Sequence, residues 1–388
     1  MLSYFRAAPE PVETAEKELQ TTTTAILVPP RPGAAPAPMT PEQEDLVKAL
    51  EEHTATLLLP EDDAYHPWEK RFLQGVGTHH RYMRASKWKL EDAKKRIQST
   101  MEWRREFKPD LITPEEVAET AATGKLLLNG FDKDSRPIIY MRPGRGPPPR
   151  PRQADPLPRL SPVSSGQMAT DNSERAIDIM PDGQERVCII ADFKDAGKQP
   201  RQPMSVSMYV LNVLQNHYVE RLGRGLVLNI PWFINGFFKA IMPFMDPVTR
   251  DKARFNPTLT DLIDADQLEA EYHGGEHAFE LDIKTYLQHM RDHCCICEDG
   301  TRHFDGEPWY PPIGRGIVHA KEARKAAADA QVEKTSVTDA VAAQVEKTFV
   351  TDAVAAQPEK TSVTDTVATQ LEKTSVTDTP AADGKATA

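Results

Sequence analysis

The sequence has few cysteines and no uninterrupted apolar run of membrane-spanning length. Four cysteines among 388 residues do not predict a disulfide scaffold. Residues 225–245 are long enough to cross a bilayer. Polar and helix-breaking residues interrupt this stretch, namely Asn229, Pro231, Asn235, Lys239 and Pro243. The first residues also lack the apolar segment of a signal peptide, so we expect a cytosolic protein.

Sequence motifs of the common enzyme classes are missing as well. There is no P-loop, no G-x-S-x-G, no H-E-x-x-H, and no glycine-rich dinucleotide motif after a predicted strand. Asp192 and Asp195 end a predicted strand without a nearby base or metal set, and we interpret them as turn caps. We therefore predict a protein without enzymatic activity, and an α/β enzyme is the less favoured alternative.

One cluster has metal-ligating residue types. It consists of His293, Cys294, Cys295, Cys297 and His303. Four of these side chains could in principle hold zinc, but the spacing is not that of two C-x-x-C pairs. We predict ordinary reduced thiols and no metal, with zinc as the alternative.

The net charge of −11 comes from the two ends of the chain. Residues 1–65 and the end of the chain from residue 332 are acidic, whereas the residues between them are close to neutral. The acidity therefore says nothing about the partner of a folded core, and no basic patch indicates a nucleic acid.

Both ends of the chain have biased composition. Residues 1–40 are rich in Thr, Pro and Ala and are predicted to be disordered. Residues 332–388 contain four copies of a 13-residue unit that begins as VEKTSVTDAVAAQ. The unit is too short and polar for a solenoid, so we predict disorder here too. Phosphorylation or partner binding by these repeats is the alternative.

Residues 41–125 read as an N-terminal helical lobe. Residues 41–59 predict a first helix that Thr40 caps. Residues 67–108 look helical almost throughout, because apolar side chains recur every three to five residues, as at Trp88, Ala93 and Ile97.

The hydrophobic period then changes from helical to strand-like. Short apolar runs at 137–141, 186–193 and 225–230 predict three strands. Residues 204–222 between the last two predict a helix, with Gly223 at the position of a helix-ending glycine. A strand, a helix and a strand in this order predict parallel pairing with a right-handed connection.

An unusual concentration of aromatic residues follows the third predicted strand. It comprises Trp232, Phe233, Phe237, Phe238, Ile241 and Phe244. A core helix is the plain interpretation, but one packing face does not need so many aromatics between prolines. The pattern also suits a lid over an apolar cavity, or contact with a bilayer interface.

Five separated motifs together resemble the CRAL-TRIO lipid-binding family, and within it the fungal phosphatidylinositol-transfer proteins of the pleiotropic-drug-resistance type. The motifs are RYMRASKWKLEDAKKRIQSTMEWRREF at 81–107, DKDSRPIIYMRPGR at 132–145, ERVCIIADFKDAG at 185–197, HYVERLGRGLVLNIPWFINGFFKAIMPFMDPVTRDKARF at 217–255 and YHGGEHAF at 272–279. Their order makes the resemblance specific, and it covers about 67–290.

The resemblance implies a helical lobe followed at 126–290 by an α/β lobe, whose mixed, mainly parallel sheet floors a lipid pocket. Residues 291–331 would then be a C-terminal extension. Residues 231–245 are similar to the gate helix of the family. Glu220, Thr249 and Lys252 match the family positions that hold a phosphatidylinositol headgroup. No cofactor is implied other than the bound phospholipid.

Two departures from the family pattern stand out. Val219 replaces the usual proline of the first headgroup motif. Residues 146–171 form a proline-rich insertion where relatives usually place a helix, and the prolines argue against a helix there.

These expectations combine into a non-enzymatic exchanger of phosphatidylinositol whose partners are membrane lipids and membrane surfaces. We expect it in the cytoplasm, peripherally on the endoplasmic reticulum, lipid droplets or the plasma membrane. The alternative is a lipid-sensing adaptor whose tails recruit a phosphoinositide kinase or a trafficking factor.

Overall fold

The computed structural model of the protein describes residues 19–33, 37–75, 77–146, 162–198, 203–230, 252–304 and 306–310. The aromatic stretch 231–245, Thr249 and the repeats at 332–388 lie outside the described residues.

Helices form the N-terminal part of the fold, as predicted. The side chain of Thr40 accepts from the backbone N–H of Gln43 and so caps the first helix. Thr113 caps the fifth in the same way, through Glu116. The five helices are α1 (Pro41–Ala55), α2 (His66–Leu73), α3 (Thr78–Ala85), α4 (Leu90–Phe107) and α5 (Pro114–Ala121).

A five-stranded mixed sheet follows, in the order β1-β2-β3-β4-β5. The first pair is antiparallel and the others are parallel, which confirms the mixed, mainly parallel α/β fold. The three predicted strands are present, whereas β1 and β5 were not predicted. The strands are β1 (Leu126–Phe131), β2 (Pro137–Met141), β3 (Val187–Asp192), β4 (Leu222–Leu228) and β5 (Ala253–Phe255).

Three helices and a small hairpin complete the described fold. They are α6 (Pro162–Asp178), α7 (Met204–His217), α8 (Ile283–Cys294), β6 (His303–Phe304) and β7 (Glu307–Pro308). Helices α6 and α7 cross closely at Gly166, where a Cβ would lie 2.5 Å from the ring of Tyr209. Because Gly166 has no side chain, α6 and α7 can pack closely at this point.

The proline-rich stretch 146–171 does contain helix, so the expectation against a helix is wrong for residues 162–171. Helix α6 begins at Pro162. Proline is tolerated in the first turn of a helix because the N–H it lacks would have no intrahelical partner there. The other prolines of the stretch precede the helix and do not interrupt it.

Gly223 does not end a helix, contrary to the prediction. Helix α7 already ends at His217, and Gly223 lies within β4. A Cβ at this position would lie 2.6 Å from the Arg136 side chain and 2.9 Å from Cβ of Arg186. The glycine therefore makes room for two arginine side chains beside the strand.

The predicted disorder of residues 1–40 is wrong for residues 22–27. Leu27 is 1% exposed and belongs to the main hydrophobic core together with Ala25. The carbonyl of Ile26 accepts from the N–H of Gly130 at 2.9 Å. The apolar run that begins at Ala25 binds this segment to the fold in spite of its polar surroundings.

A buried ionic cluster joins distant parts of the chain. Arg104 of α4 donates to Asp110 at 2.7 Å and to Glu174 of α6 at 3.0 Å. Arg302, beside β6, donates to Asp178 at 2.8 Å. Arg71 of α2 bridges Asp110 and Asp178. The cluster is defined as Arg71, Arg104, Asp110, Glu174, Asp178 and Arg302, and each of these side chains is at most 3% exposed.

Pairing offsets the desolvation of these charges. Burial by itself would raise the pKa of Asp178, but Arg302, Arg71 and Arg175 hold it below its usual range. The Asp178 carboxylate therefore stays ionised inside the protein. Removal of one partner would leave a buried charge uncompensated.

Substitution Arg104→Gln is expected to lower the free energy of unfolding by about 3–5 kcal/mol, because Asp110 and Glu174 would both lose a buried cation. Urea denaturation followed by circular dichroism measures the change. The matched control is Lys94→Gln on the same helix, which removes the exposed pair with Glu91 and should leave stability unchanged within error. Equal effects of the two substitutions would contradict this account.

Candidate functional site

Charged residues precede four neighbouring strands of the sheet. Arg136 comes directly before β2, Arg186 before β3 and Lys252 before β5, while Glu220 lies two residues before β4. Since these strands are parallel, their first residues lie at one edge of the sheet. We call this edge the amino edge.

Two of the three predicted headgroup residues meet at the amino edge. Nζ of Lys252 lies 3.5 Å from Oε2 of Glu220. Nη2 of Arg186 lies 3.9 Å from the same oxygen. Two cations therefore converge on one carboxylate oxygen. The side chains of Glu220 and Lys252 are 14% and 15% exposed, and that of Arg186 is 36% exposed.

Glu220 is held in place by its neighbours in the chain. Tyr218 donates its hydroxyl to Oε1 of Glu174 at 2.7 Å, which connects this loop to the buried ionic cluster. Arg221 donates to the carbonyl of Glu185 at 2.9 Å. Between these anchors Glu220 adopts a positive φ of 58°, a conformation that is uncommon for a residue with a side chain.

Lys252 is positioned by the sheet itself. Its carbonyl accepts from the N–H of Gly225 at 3.1 Å, next to the pairing of β4 with β5. Burial lowers the pKa of Lys252, and the Glu220 carboxylate partly opposes this shift. The ammonium group is thus a partly desolvated cation, which interacts more strongly with an anion than a fully hydrated one.

Other arginines near the amino edge already have closely bound carboxylates. Arg84 donates to Glu185 at 2.7 Å. Arg136 and Arg224 share Asp132 and Asp134 at distances of 2.7–3.1 Å. Arg186 has the looser contact of 3.9 Å. The sequence interpretation overlooked Arg186, although a charged first residue of a predicted parallel strand was a usable signal.

One face of the sheet is apolar and is exposed only at the carboxyl ends of two strands. The strand register places on this face Ile139, Met141, Ile189, Ala191, Val227 and Phe255. Met141 and Phe255, the last residues of β2 and β5, are 36% and 53% exposed, whereas Ile139, Ala191 and Val227 are buried. The opposite face packs into a core with Ile263 and Leu268. The exposed end of the apolar face could therefore contact an apolar ligand.

The metal-like cluster does not assemble. Sγ of Cys297 lies 3.2 Å from Nδ1 of His303, and none of the four cysteines, all of which the structure describes, forms a disulfide. No three metal-ligating side chains come together in the part of the chain that the structure describes. Asp192 accepts from the N–H of Lys194 at 2.9 Å, which confirms its predicted role as a turn cap. Within the described ranges, no helix is long and apolar enough to cross a membrane.

A family model described as the CRAL/TRIO domain matches residues 121–274. This part of the chain is a CRAL/TRIO domain. The match contains β1 to β5 and both Glu220 and Lys252. The resemblance predicted from the five motifs is confirmed.

Curated relatives support this assignment. A CRAL-TRIO domain-containing protein of Schizosaccharomyces pombe is 42% identical over 55% of this chain and 20% of its own length. The phosphatidylinositol transfer protein PDR17 of Saccharomyces cerevisiae is 35% identical over 53% of this chain and 59% of its own length. Patellin-6 of Arabidopsis thaliana is 23% identical over 44% of this chain and 42% of its own length. The chain thus spans only part of each of these relatives.

The contact between Glu220 and Lys252 can be tested through the pKa of Lys252. In Glu220→Gln the carboxylate that raises the pKa of Lys252 is lost, so we expect this pKa to fall further below its ordinary value. The pH dependence of reductive methylation at Lys252, followed by peptide mass spectrometry, measures the shift.

The matched control is Glu91→Gln, which removes the partner of Lys94 at 2.8 Å and should leave the titration of Lys252 unchanged. An identical titration midpoint for Lys252 in the wild type and in Glu220→Gln would show that the two side chains are not in contact in solution.

Proposed function

We propose that the protein binds phosphatidylinositol and carries it between membranes without catalysing a reaction. The observation that carries this proposal is the contact between Glu220 and Lys252 at the amino edge of a CRAL/TRIO domain, beside an apolar sheet face. PDR17, a similar protein, is named as a phosphatidylinositol transfer protein, which supports the same ligand for this chain.

The proposed roles follow from the chemistry of the side chains. Lys252 supplies a cation to the lipid phosphodiester, and Thr249 adds a hydroxyl donor. Glu220 accepts hydrogen bonds from the inositol hydroxyls. An anionic phosphate that left water without such partners would be strongly disfavoured.

The acyl chains would lie against the apolar sheet face that contains Met141 and Phe255. Each buried methylene contributes about 0.8 kcal/mol, so two acyl chains supply most of the binding free energy. The polar site then selects which lipid is bound, because every phospholipid offers similar acyl chains.

Residues 231–245 would form a gate that opens at a membrane surface. The proposal rests on the aromatic side chains of this stretch, among them Trp232, Phe237 and Phe244, and on its match to the gate helix of the family. Membrane lipids and membrane surfaces are then the partners. The place of action would be the cytoplasmic surface of the endoplasmic reticulum, lipid droplets or the plasma membrane.

A lipid-sensing adaptor is the second candidate, and the repeats at 332–388 favour it. In that case a loaded domain would report the presence of the lipid, and the repeats would recruit a phosphoinositide kinase or a trafficking factor. Binding of phosphatidylinositol without its transfer would distinguish this function from the first.

The test uses the full chain with donor vesicles that contain labelled phosphatidylinositol and with unlabelled acceptor vesicles. Wild-type protein is expected to move the label. Lys252→Ala and Glu220→Ala are each expected to reduce the rate of phosphatidylinositol transfer by about tenfold or more, because each removes a hydrogen bond to or from a charged group. Lys94→Gln is the control, because Lys94 is far from the site in sequence and its side chain is only partly buried.

Absence of transfer by the wild type, together with no phosphatidylinositol in lipid extracts of the purified protein, would reject the proposed function. Unchanged transfer by both site variants would show that the headgroup lies elsewhere.

A further inference from the structure

We propose that Arg186 contacts the lipid headgroup together with Lys252, and that this pair of cations makes the site selective for phospholipids whose headgroup carries a single net negative charge. The inference rests on the proposed function, since it names the lipid class that the same site accepts.

The first argument is the geometry at Glu220. Lys252 and Arg186 approach the same oxygen, Oε2, at 3.5 Å and 3.9 Å. At 3.9 Å the guanidinium of Arg186 makes no hydrogen bond to this carboxylate. Arg84 and Arg136, by contrast, each hold a carboxylate at 2.7 Å. Of Arg84, Arg136 and Arg186, only Arg186 has its described carboxylate contact beyond hydrogen-bond distance.

The second argument is that the backbone of Arg186 is fixed while the end of its side chain is accessible. The N–H of Arg186 donates to Oε1 of Gln184 at 3.0 Å, at the start of β3. Gly223 makes room for the Arg186 side chain, because a Cβ at position 223 would lie 2.9 Å from Cβ of Arg186. The side chain is 36% exposed, so the guanidinium can turn towards a phosphate that enters beside Lys252. Its planar fork suits two phosphate oxygens at once.

The third argument is the charge of the three side chains that meet at Oε2 of Glu220. Lys252 and Arg186 contribute two positive charges and Glu220 contributes one negative charge. A phosphodiester supplies one further negative charge, so a phospholipid with an uncharged polyol headgroup neutralises these three side chains.

Two other lipid classes do not balance the site in this way. A zwitterionic headgroup brings an additional cation next to Arg186 and Lys252. A headgroup phosphorylated on its ring adds about −1.5 to −2 of charge per phosphomonoester, which would lie close to the Glu220 carboxylate. Repulsion between like charges in a partly buried site disfavours both of these lipid classes.

The experiment compares wild type, Arg186→Gln and Arg186→Lys, all as full chains. Donor vesicles contain a trace of labelled phosphatidylinositol, phosphatidylglycerol, phosphatidylcholine or phosphatidylinositol 4-phosphate in an otherwise constant lipid background. The transfer rate of each lipid is measured. Arg145→Gln is the matched control, because Arg145 is a partly exposed arginine that pairs with Glu271 at 2.6 Å beyond the carboxyl end of β2.

We expect wild-type protein to prefer phosphatidylinositol and phosphatidylglycerol over the other two lipids. Arg186→Gln should transfer both preferred lipids about tenfold more slowly, as expected for loss of one charge-assisted contact, with a smaller effect on phosphatidylcholine. The transfer rates of Arg186→Lys should lie between those of the wild type and of Arg186→Gln, since lysine keeps the positive charge but lacks the planar guanidinium. Arg145→Gln should match wild type.

The inference is overturned if Arg186→Gln transfers phosphatidylinositol within twofold of the wild-type rate. The proposed function stays intact in that case, because the wild-type protein still transfers the lipid. An equal loss for all four lipids would also overturn it, because a structural defect has no lipid selectivity. Wild-type protein that transfers none of the lipids would overturn the proposed function itself. Thermal melting shows whether each variant is folded. If the melting temperature of Arg186→Gln is lower than that of the wild type, the lipid selectivity of Arg186→Lys tests the inference instead.

Discussion

The buried pairing of Arg104 with Asp110 and Glu174 is the interaction on which the described fold depends most. It joins α4 to α6, and Arg71 and Arg302 extend it to α2 and to the segment beside β6. Loss of one partner would leave a buried charge uncompensated, which is strongly destabilising. The cluster therefore requires that the helical lobe, the α/β part and the C-terminal segment come together in one arrangement.

The same cluster reaches the candidate site through one hydrogen bond. Tyr218 donates to Glu174, and Glu220 follows two residues later in a strained backbone conformation. A residue with positive φ persists when its surroundings hold it in place. The position of the Glu220 carboxylate is thus coupled to the packing of α4 and α6, although neither helix supplies a group to the ion pair with Lys252.

The amino edge and the apolar sheet face match the two parts of an amphiphile. Charged residues stand directly before the parallel strands, and apolar residues lie along one face of the same strands. The sequence contained both signals, since the strands at 137–141, 186–193 and 225–230 were recognisable from their apolar runs. Residues 253–255 are too short for such a pattern, so β5, which fixes Lys252, could not be predicted. The position of Arg186 at the start of a predicted strand was visible in the sequence, but its approach to Glu220 was not, because strand register decides which residues lie side by side.

The sequence by itself indicated a CRAL/TRIO domain, the mixed α/β class and the capped helix at Thr40. These follow from motif order, hydrophobic periodicity and capping patterns of a few residues. Glu220 and Lys252 became candidates only through the resemblance to the family. Only the tertiary structure decided that residues 22–27 join the core, that a helix follows the prolines at Pro162, and that Gly223 makes room for arginines. The first and the last of these outcomes depend on what a distant segment places beside the residue, which local composition does not record. The second depends on where the helix begins, since proline is compatible with the first turn but not with the helix interior.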